Sequence, residues 1–392
     1  MPHNKPEIVG LTGLRAIAAL SIVYGHYTVP LDYKLFGIVW QTTIIGMPLF
    51  FALSGFIIHY VYVQLFSQGW APAVREFAFA RFSRLYPLFI FLFAFFFLFS
   101  PLGSKLMEPE HWKILLSYLT LTSSWWYTTI DNKALIQFNY GWSWSVSTEW
   151  FFYVLYALLF YRIACIKSPR LCLKLLVGFC VLSYLLLYGV YSTQNSWQPY
   201  VLAHHHRYIS TDQDFANSFY RWAVYVSPYL QVLTFMGGCL TCQFYLLFKD
   251  REDVRRRIRP QLLVGISLMW ILLCVLTLSG AFPHEIQQYV PGFINFLHMN
   301  FLLVPACYML ILACALGNNS LSRVLSRPLP KFLGEISYSI YLAHLILPSF
   351  TPLAGEHVTL RLAMAMMLTI AIAAGLYTVV EVPAKRWLRK AS

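Results

Sequence analysis

The sequence predicts an all-α fold: a polytopic transmembrane bundle of about ten membrane-spanning helices with both termini cytoplasmic. Three observations carry this. Ten apolar stretches reach helix length, basic residues crowd alternate turns between them, and charge is scarce throughout. Of 392 residues, 58% are hydrophobic and only 11% are charged, against roughly 25% in soluble domains. A bilayer core needs about 20 apolar residues of helix. Residues 1–392 read as a single integral membrane domain, with no internal repeat, low-complexity tract or linker. The start, MPHNKPEIVG, is short and polar, and no small-residue cleavage site follows the first apolar run. That run is therefore expected to be retained rather than removed as a signal peptide.

The segments follow in order. The first spans 11–30 and carries two ionisable side chains, Arg15 and His26. The second is 43–64. The third, 79–100, opens on Arg81 and Arg84 and holds Pro87, which suits a first helical turn or a kink. The stretch 114–130 is apolar but contains seven Ser or Thr. It is expected to be interfacial or re-entrant, with Trp125, Trp126 and Tyr127 at headgroup depth, because a crossing here would move every later loop to the wrong side. The fourth span, 143–161, carries Glu149 near its start. Spans follow at 174–193, 225–248, 261–281 and 293–316. The ninth, 335–353, contains His344, and the tenth, 360–381, ends on Glu381.

Orientation comes from the basic residues. The odd-to-even turns, the N-terminus and the tail hold 21 of the 29 Lys and Arg; the opposite loops hold 7, and Arg15 lies within a helix. Cytoplasmic loops carry the excess of Lys and Arg. The net charge of +13 is thus a topology signal, and it gives no reason to invoke nucleic acid. The eight cysteines fall in helices or at their cytoplasmic ends, so no disulfide framework is expected. Cys239 and Cys242 form a CxxC inside a helix without a partner pair and read as packing residues. No metal site is expected. His204, His205 and His206, with Asp212 and Asp214 nearby, are consecutive and cannot all aim at one ion. There is no GxxxxGK[ST], GxSxG or GxGxxG motif, so any cofactor must be held by membrane helices and their loops.

Candidate chemistry sits in the apolar segments, where an ionisable side chain is costly. Arg15 and His26 are eleven positions apart, which puts them about 20° apart around one helix and roughly 16 Å apart along it. An imidazole can take a proton from a hydroxyl near neutral pH. Arg81 and Arg84, at i and i+3, face one way and suit phosphates of a cytoplasmic cofactor, although ordinary interfacial anchoring would look the same. Glu149 needs a partner, either as an interhelical clamp or as the group that orients an imidazole. Tyr27 and Thr28 follow His26, so the orienting group must come from another helix, and Glu149 is the candidate. His344 is expected to make a structural hydrogen bond, and Glu381 to form an interfacial ion pair with Arg386.

Taken together, several stretches resemble the acyltransferase-3 family of membrane acyltransferases. Arg15 and His26 are similar to its Arg-x10-His signature. FFALSGFII (50–58), RFSRLYP (81–87), WSVSTEWFFY (144–153), SYSIYLAH (337–344) and EVPAKR (381–386) resemble five further motifs, in order, from about residue 8 to 388. The resemblance implies an O-acyltransferase of a bacterial cytoplasmic (inner) membrane. Acyl-CoA, most simply acetyl-CoA, would be the co-substrate and no cofactor would be permanently bound. The acyl group would pass to a hydroxyl of an extracytoplasmic glycan or related acceptor. The sites implied are His26, Glu149 and Arg15 as catalytic residues and Arg81, Arg84 and Arg15 as donor-binding residues. Some members carry a C-terminal extracytoplasmic hydrolase-like domain. This sequence ends after its basic tail, so a separate periplasmic transferase or direct transfer is expected. The alternative is a transporter or flippase for a glycan or lipid that uses Arg15, His26 and Glu149 as a relay. No inverted repeat supports it. The motif order also fits acyltransferase-3 better than the unrelated MBOAT acyltransferases.

Overall fold

The computed structural model describes residues 5–28, 43–99, 111–130, 133–137, 140–193, 195–197, 217–249, 258–278, 301–347 and 357–391, with 108, 199 and 200 besides. They are helical almost throughout, with one two-stranded antiparallel hairpin, Thr129–Ile130 against Lys133–Ala134. The helices are α1 Val9–Thr28, α2 Gly46–Phe66, α3 Trp70–Leu98, α4 His111–Leu119, α5 Trp144–Leu158 and α6 Pro169–Ser192. After a short π-helical stretch, Trp222–Val226, come α7 Pro228–Phe248, α8 Pro260–Leu278, α9 Val304–Leu316, α10 Ser320–Leu325, α11 Pro328–Glu335, α12 Ser337–Ala343, α13 Val358–Leu376 and α14 Val382–Ala391.

Among the described residues, seven helices are long and apolar enough to cross a membrane. Three of the ten expected spans are shorter. Residues 143–161 give the fifteen-residue α5, which ends in a 3₁₀ stretch, Phe160–Cys165. Residues 293–316 give the thirteen-residue α9, with 293–300 outside the described residues. Residues 335–353 give α12, which ends in a turn at 344–345; 346–347 are helical again, and 348–353 lie outside the described residues. The third span starts earlier than expected: α3 begins at Trp70, so Arg81 and Arg84 lie in its middle and Pro87 inside it. The 114–130 stretch is no span. Its helix α4 is nine residues long, and the chain beyond is fastened to α5 by Thr148 Oγ1 to Ser124 Oγ (2.9 Å) and Trp125 Nε1 to the Ser147 carbonyl (3.1 Å).

The interior lies around α1, α2, α5 and α7. A close crossing is α2 against α7. A Cβ on Gly55 would sit 1.9 Å from the Phe235 carbonyl oxygen, and one on Gly238 would sit 2.1 Å from that of Ala52. Small residues let helix backbones approach in this way where lipid gives no hydrophobic drive. Gly55→Ala is expected to destabilise the protein by about 1–3 kcal/mol or more, since the obstacle is main chain and cannot rotate aside. A thermal melt of the detergent-solubilised variant checks this; an unchanged Tm would refute it. By contrast, α6 and α8 leave Leu171, Val177, Leu185, Leu262, Met269 and Leu272 exposed, which suits helices that face acyl chains.

Candidate active site

α1 carries both of the expected ionisable groups on one continuous helix. Arg15 lies one turn and a half from its start, and His26 lies in its last turn. They enter two different polar clusters.

The first is a cleft with about 700 Å³ of open space, part of it continuous with solvent, lined by Arg15, Arg81, Arg84, Glu149, Ser54 and Tyr153 among others. Arg81 is buried. Its Nη2 donates to Tyr62 Oη at 2.5 Å, its guanidinium lies over the Tyr62 ring (4.7 Å), and its Nε has no partner. Arg84, one turn on, is partly buried on the same cleft, as the i, i+3 spacing predicts. Glu149 Oε1 accepts from Ser54 Oγ at 2.6 Å and from Tyr153 Oη at 2.5 Å. Glu381 joins from the π-helical turn Tyr377–Glu381 and is buried. It accepts from Ser339 Oγ at 2.9 Å and acts electrostatically on Arg15 and Arg84. It turns inward instead of pairing with Arg386 as expected, because the wider π turn swings it toward the bundle. With all five ionised, three guanidiniums against two carboxylates leave a net positive cleft that suits an anionic ligand.

The second cluster is a pair of histidines. His26 Nδ1 lies 2.8 Å from His344 Nε2, with the rings 20° from parallel. His344 is buried, and its Nδ1 lies 2.6 Å from the Tyr341 carbonyl oxygen. The hydrogen-bond pattern assigns the protons. A carbonyl only accepts, so His344 Nδ1 donates to it. A neutral His344 then has its lone pair on Nε2, so His26 Nδ1 must donate there. The lone pair of His26 is thereby fixed on Nε2, and His26 is exposed. The expectation that Glu149 orients His26 is corrected here. The ring is held by His344, while Ser54 and Tyr153, which donate to Glu149, lie in the cleft.

The helix break makes this arrangement possible. The chain leaves α12 at His344, so the last carbonyls of that helix are free to accept other donors. Tyr341 accepts from the His344 ring, Leu342 from Trp142 Nε1 (3.1 Å), and His344 from Tyr27 Oη (2.5 Å). Pro348, four residues after His344, has no N–H and is the one sequence signal that could have marked the break. The two clusters adjoin at Tyr341. Its ring lines the cleft, meets Phe50 edge-on (6.1 Å between centroids) and lies 5.8 Å from the His344 ring.

Among the described residues no group of three possible metal ligands occurs. His204, His205, His206, Asp212 and Asp214 lie outside them. Cys239 and Cys242 are free and buried on α7, and Cys239 Sγ donates to the Gly55 carbonyl (3.3 Å), a packing contact.

These features define an integral membrane protein with ionisable groups gathered in its interior. The chain matches the profile of the acyltransferase-3 family, described as an acyltransferase domain, over residues 8–379, and it belongs to that family. It is 22% identical over 348 residues to the O-acetyltransferase OatA of Staphylococcus aureus (strain NCTC 8325 / PS 47), covering 87% of this chain and 51% of that protein. It is 22% identical over 354 residues to the peptidoglycan O-acetyltransferase OatA of Listeria monocytogenes serovar 1/2a (strain ATCC BAA-679 / EGD-e), covering 87% and 49%. The chain thus spans about half the length of these curated relatives. No solved structure matches it.

Proposed function

We propose that this protein moves an acyl group, most simply acetyl, from cytoplasmic acyl-CoA to a hydroxyl of an extracytoplasmic glycan, with His26 as general base. The observation that carries this reading is the two-imidazole chain that ends on the free Nε2 of an exposed His26. An alcohol is a poor nucleophile at neutral pH and needs a base within hydrogen-bond reach. His26 Nε2 would take the hydroxyl proton as the oxygen attacks the thioester carbonyl. The C–O bond forms, the C–S bond breaks, and the imidazolium returns its proton to the leaving CoA thiolate.

The net positive cleft supports a phosphorylated donor. Arg81 Nε, buried and unpartnered on its wall, calls for an acceptor atom there. Glu149, with Ser54 and Tyr153, would set the shape of the donor path, and Arg15 would line it. The roughly 16 Å from Arg15 to His26 matches the reach of a CoA pantetheine arm. The basic residues of the alternate turns support a cytoplasmic origin for the donor, in a bacterial inner membrane. The names of the relatives support O-acetylation, and that of the Listeria protein a peptidoglycan-like acceptor. Family membership disfavours the transporter reading.

The test is acyl transfer by the purified protein in lipid vesicles, with acetyl-CoA and a glycan oligosaccharide, read as a mass gain of one acyl group. No acyl-CoA-dependent ester from folded protein would overturn the reading. Arg84→Ala is expected to raise the acetyl-CoA KM about 10- to 100-fold, the worth of one charge-assisted contact of ~1.5–3 kcal/mol, with the acceptor KM little changed. Arg84 is the cleaner probe, because Arg81→Ala would also strip Tyr62 of its partner. An unchanged acetyl-CoA KM would remove the cleft from the donor path.

A further inference from the structure

Tyr27 follows His26 in α1, takes no part in the proton transfer above, and is fully buried. Its hydroxyl lies 2.5 Å from the main-chain carbonyl oxygen of His344 and 2.5 Å from Thr369 Oγ1 on α13, which is also buried. The directions of these bonds are determined. A carbonyl cannot donate, so the single tyrosine proton goes to His344, and Thr369 must give its own proton to Tyr27. The result is a directed chain from Thr369 through Tyr27 to the His344 carbonyl.

The sequence denies that carbonyl the usual donor of a continuous helix. In an unbroken helix it would accept from the residue four positions on, and that residue is Pro348, which lacks an N–H. Tyr27 supplies the bond instead. Adjacent residues of α1 therefore hold the same residue of the broken segment in two places. His26 meets its ring, and Tyr27 meets its main chain. The other ring nitrogen of His344 is tied to Tyr341, in the same turn. With backbone and ring both fixed, His344 cannot shift along or rotate about its axis without breaking a bond to α1.

We propose that Tyr27, backed by Thr369, is a positioning residue that holds His344 in register with His26 and so keeps the His26 lone pair on Nε2. The proposal rests on the reading of His26 as base. A hydroxyl that merely satisfied a buried carbonyl would affect stability alone. A hydroxyl that sets the register of two imidazoles also affects turnover and tautomer.

The experiment uses the full chain in lipid vesicles with acetyl-CoA and a glycan acceptor, together with ¹⁵N spectra of histidine-labelled protein. Tyr27→Phe removes one hydroxyl and keeps the ring. Turnover is expected to fall about tenfold or more, the scale of a lost outer hydrogen-bond partner, with the acetyl-CoA KM within about twofold. The ¹⁵N shifts of His26 and His344 should change from one neutral tautomer, protonated on Nδ1, to a mixture. Thr369→Val should move both readouts in the same direction, and Thr369→Ser, which keeps the hydroxyl, should restore them. Wild-type turnover and unchanged imidazole shifts in Tyr27→Phe would overturn the proposal. If that variant does not fold, the Val and Ser variants at Thr369 decide in its place. Should His26→Ala prove fully active, the general-base reading falls, while the ¹⁵N tautomer readout still judges the positioning role by itself.

Discussion

Replacing His26 with alanine is expected to lower acyl-transfer turnover by about two to four orders of magnitude, the usual worth of a positioned general base. The ring is exposed, and its hydrogen bond is to His344. Its removal costs one hydrogen bond, to His344, and should leave the fold and the acetyl-CoA affinity in place. The decisive measurement is single-turnover acyl transfer by purified His26→Ala protein that still binds acetyl-CoA. Its rate should also have lost the acidic limb of the wild-type pH profile. That limb arises because a protonated His26 has no lone pair to offer, so wild-type activity must fall as pH drops through the range where the ring charges. Near-wild-type turnover in the variant would make His26 structural.

His344→Ala is expected to cost about ten- to a hundredfold in turnover, the range seen when the group that orients a functional histidine is removed. The reasoning is geometric. Without His344, His26 Nδ1–H has no acceptor at 2.8 Å, and the ring is free to rotate and to change tautomer. The base itself remains, so the loss should be smaller than that of His26→Ala. His344→Gln should recover part of it, because an amide oxygen can accept from Nδ1. A buried histidine also packs, so the comparison is valid only between variants with matched thermal melts. Wild-type turnover in folded His344→Ala protein would exclude the two-imidazole chain from the reaction.

Much of the first polar cluster was legible in the sequence. Arg15 in an apolar run, and Arg81 and Arg84 at helical spacing, are anomalies that composition alone exposes, and the structure brings all three to one cleft. The partner of His26 was not legible. His26 and His344 are 318 residues apart, and no periodicity within either segment says that two distant helices present their imidazoles to each other. Glu149 was assigned to His26 because a lone intramembrane carboxylate needs a partner. The structure gives it Ser54 and Tyr153, hydroxyls that are too common in the sequence to stand out. Span lengths were overestimated where an apolar window hides a break. The turn at His344 interrupts 335–353 without a change in hydropathy, and the start of α3 at Trp70 lies in a polar stretch that an apolar window excludes.

The separation of charge between the two clusters has an electrical consequence. The guanidiniums of Arg15, Arg81 and Arg84 stand with two carboxylates in the cleft, while the histidine pair itself carries no formal charge in the assigned tautomers and has Arg221 as a charged neighbour. Carrying one elementary charge across a membrane against its potential takes roughly 2.3 kcal/mol per 100 mV. On the proposed reaction the anionic CoA stays at the guanidinium end throughout, and only an uncharged acyl group traverses. The imidazolium exists only between two local proton shifts. Translocation of the acyl group would then be electroneutral, and a cell could modify its exterior at the same thermodynamic yield whether its membrane were energised or depolarised.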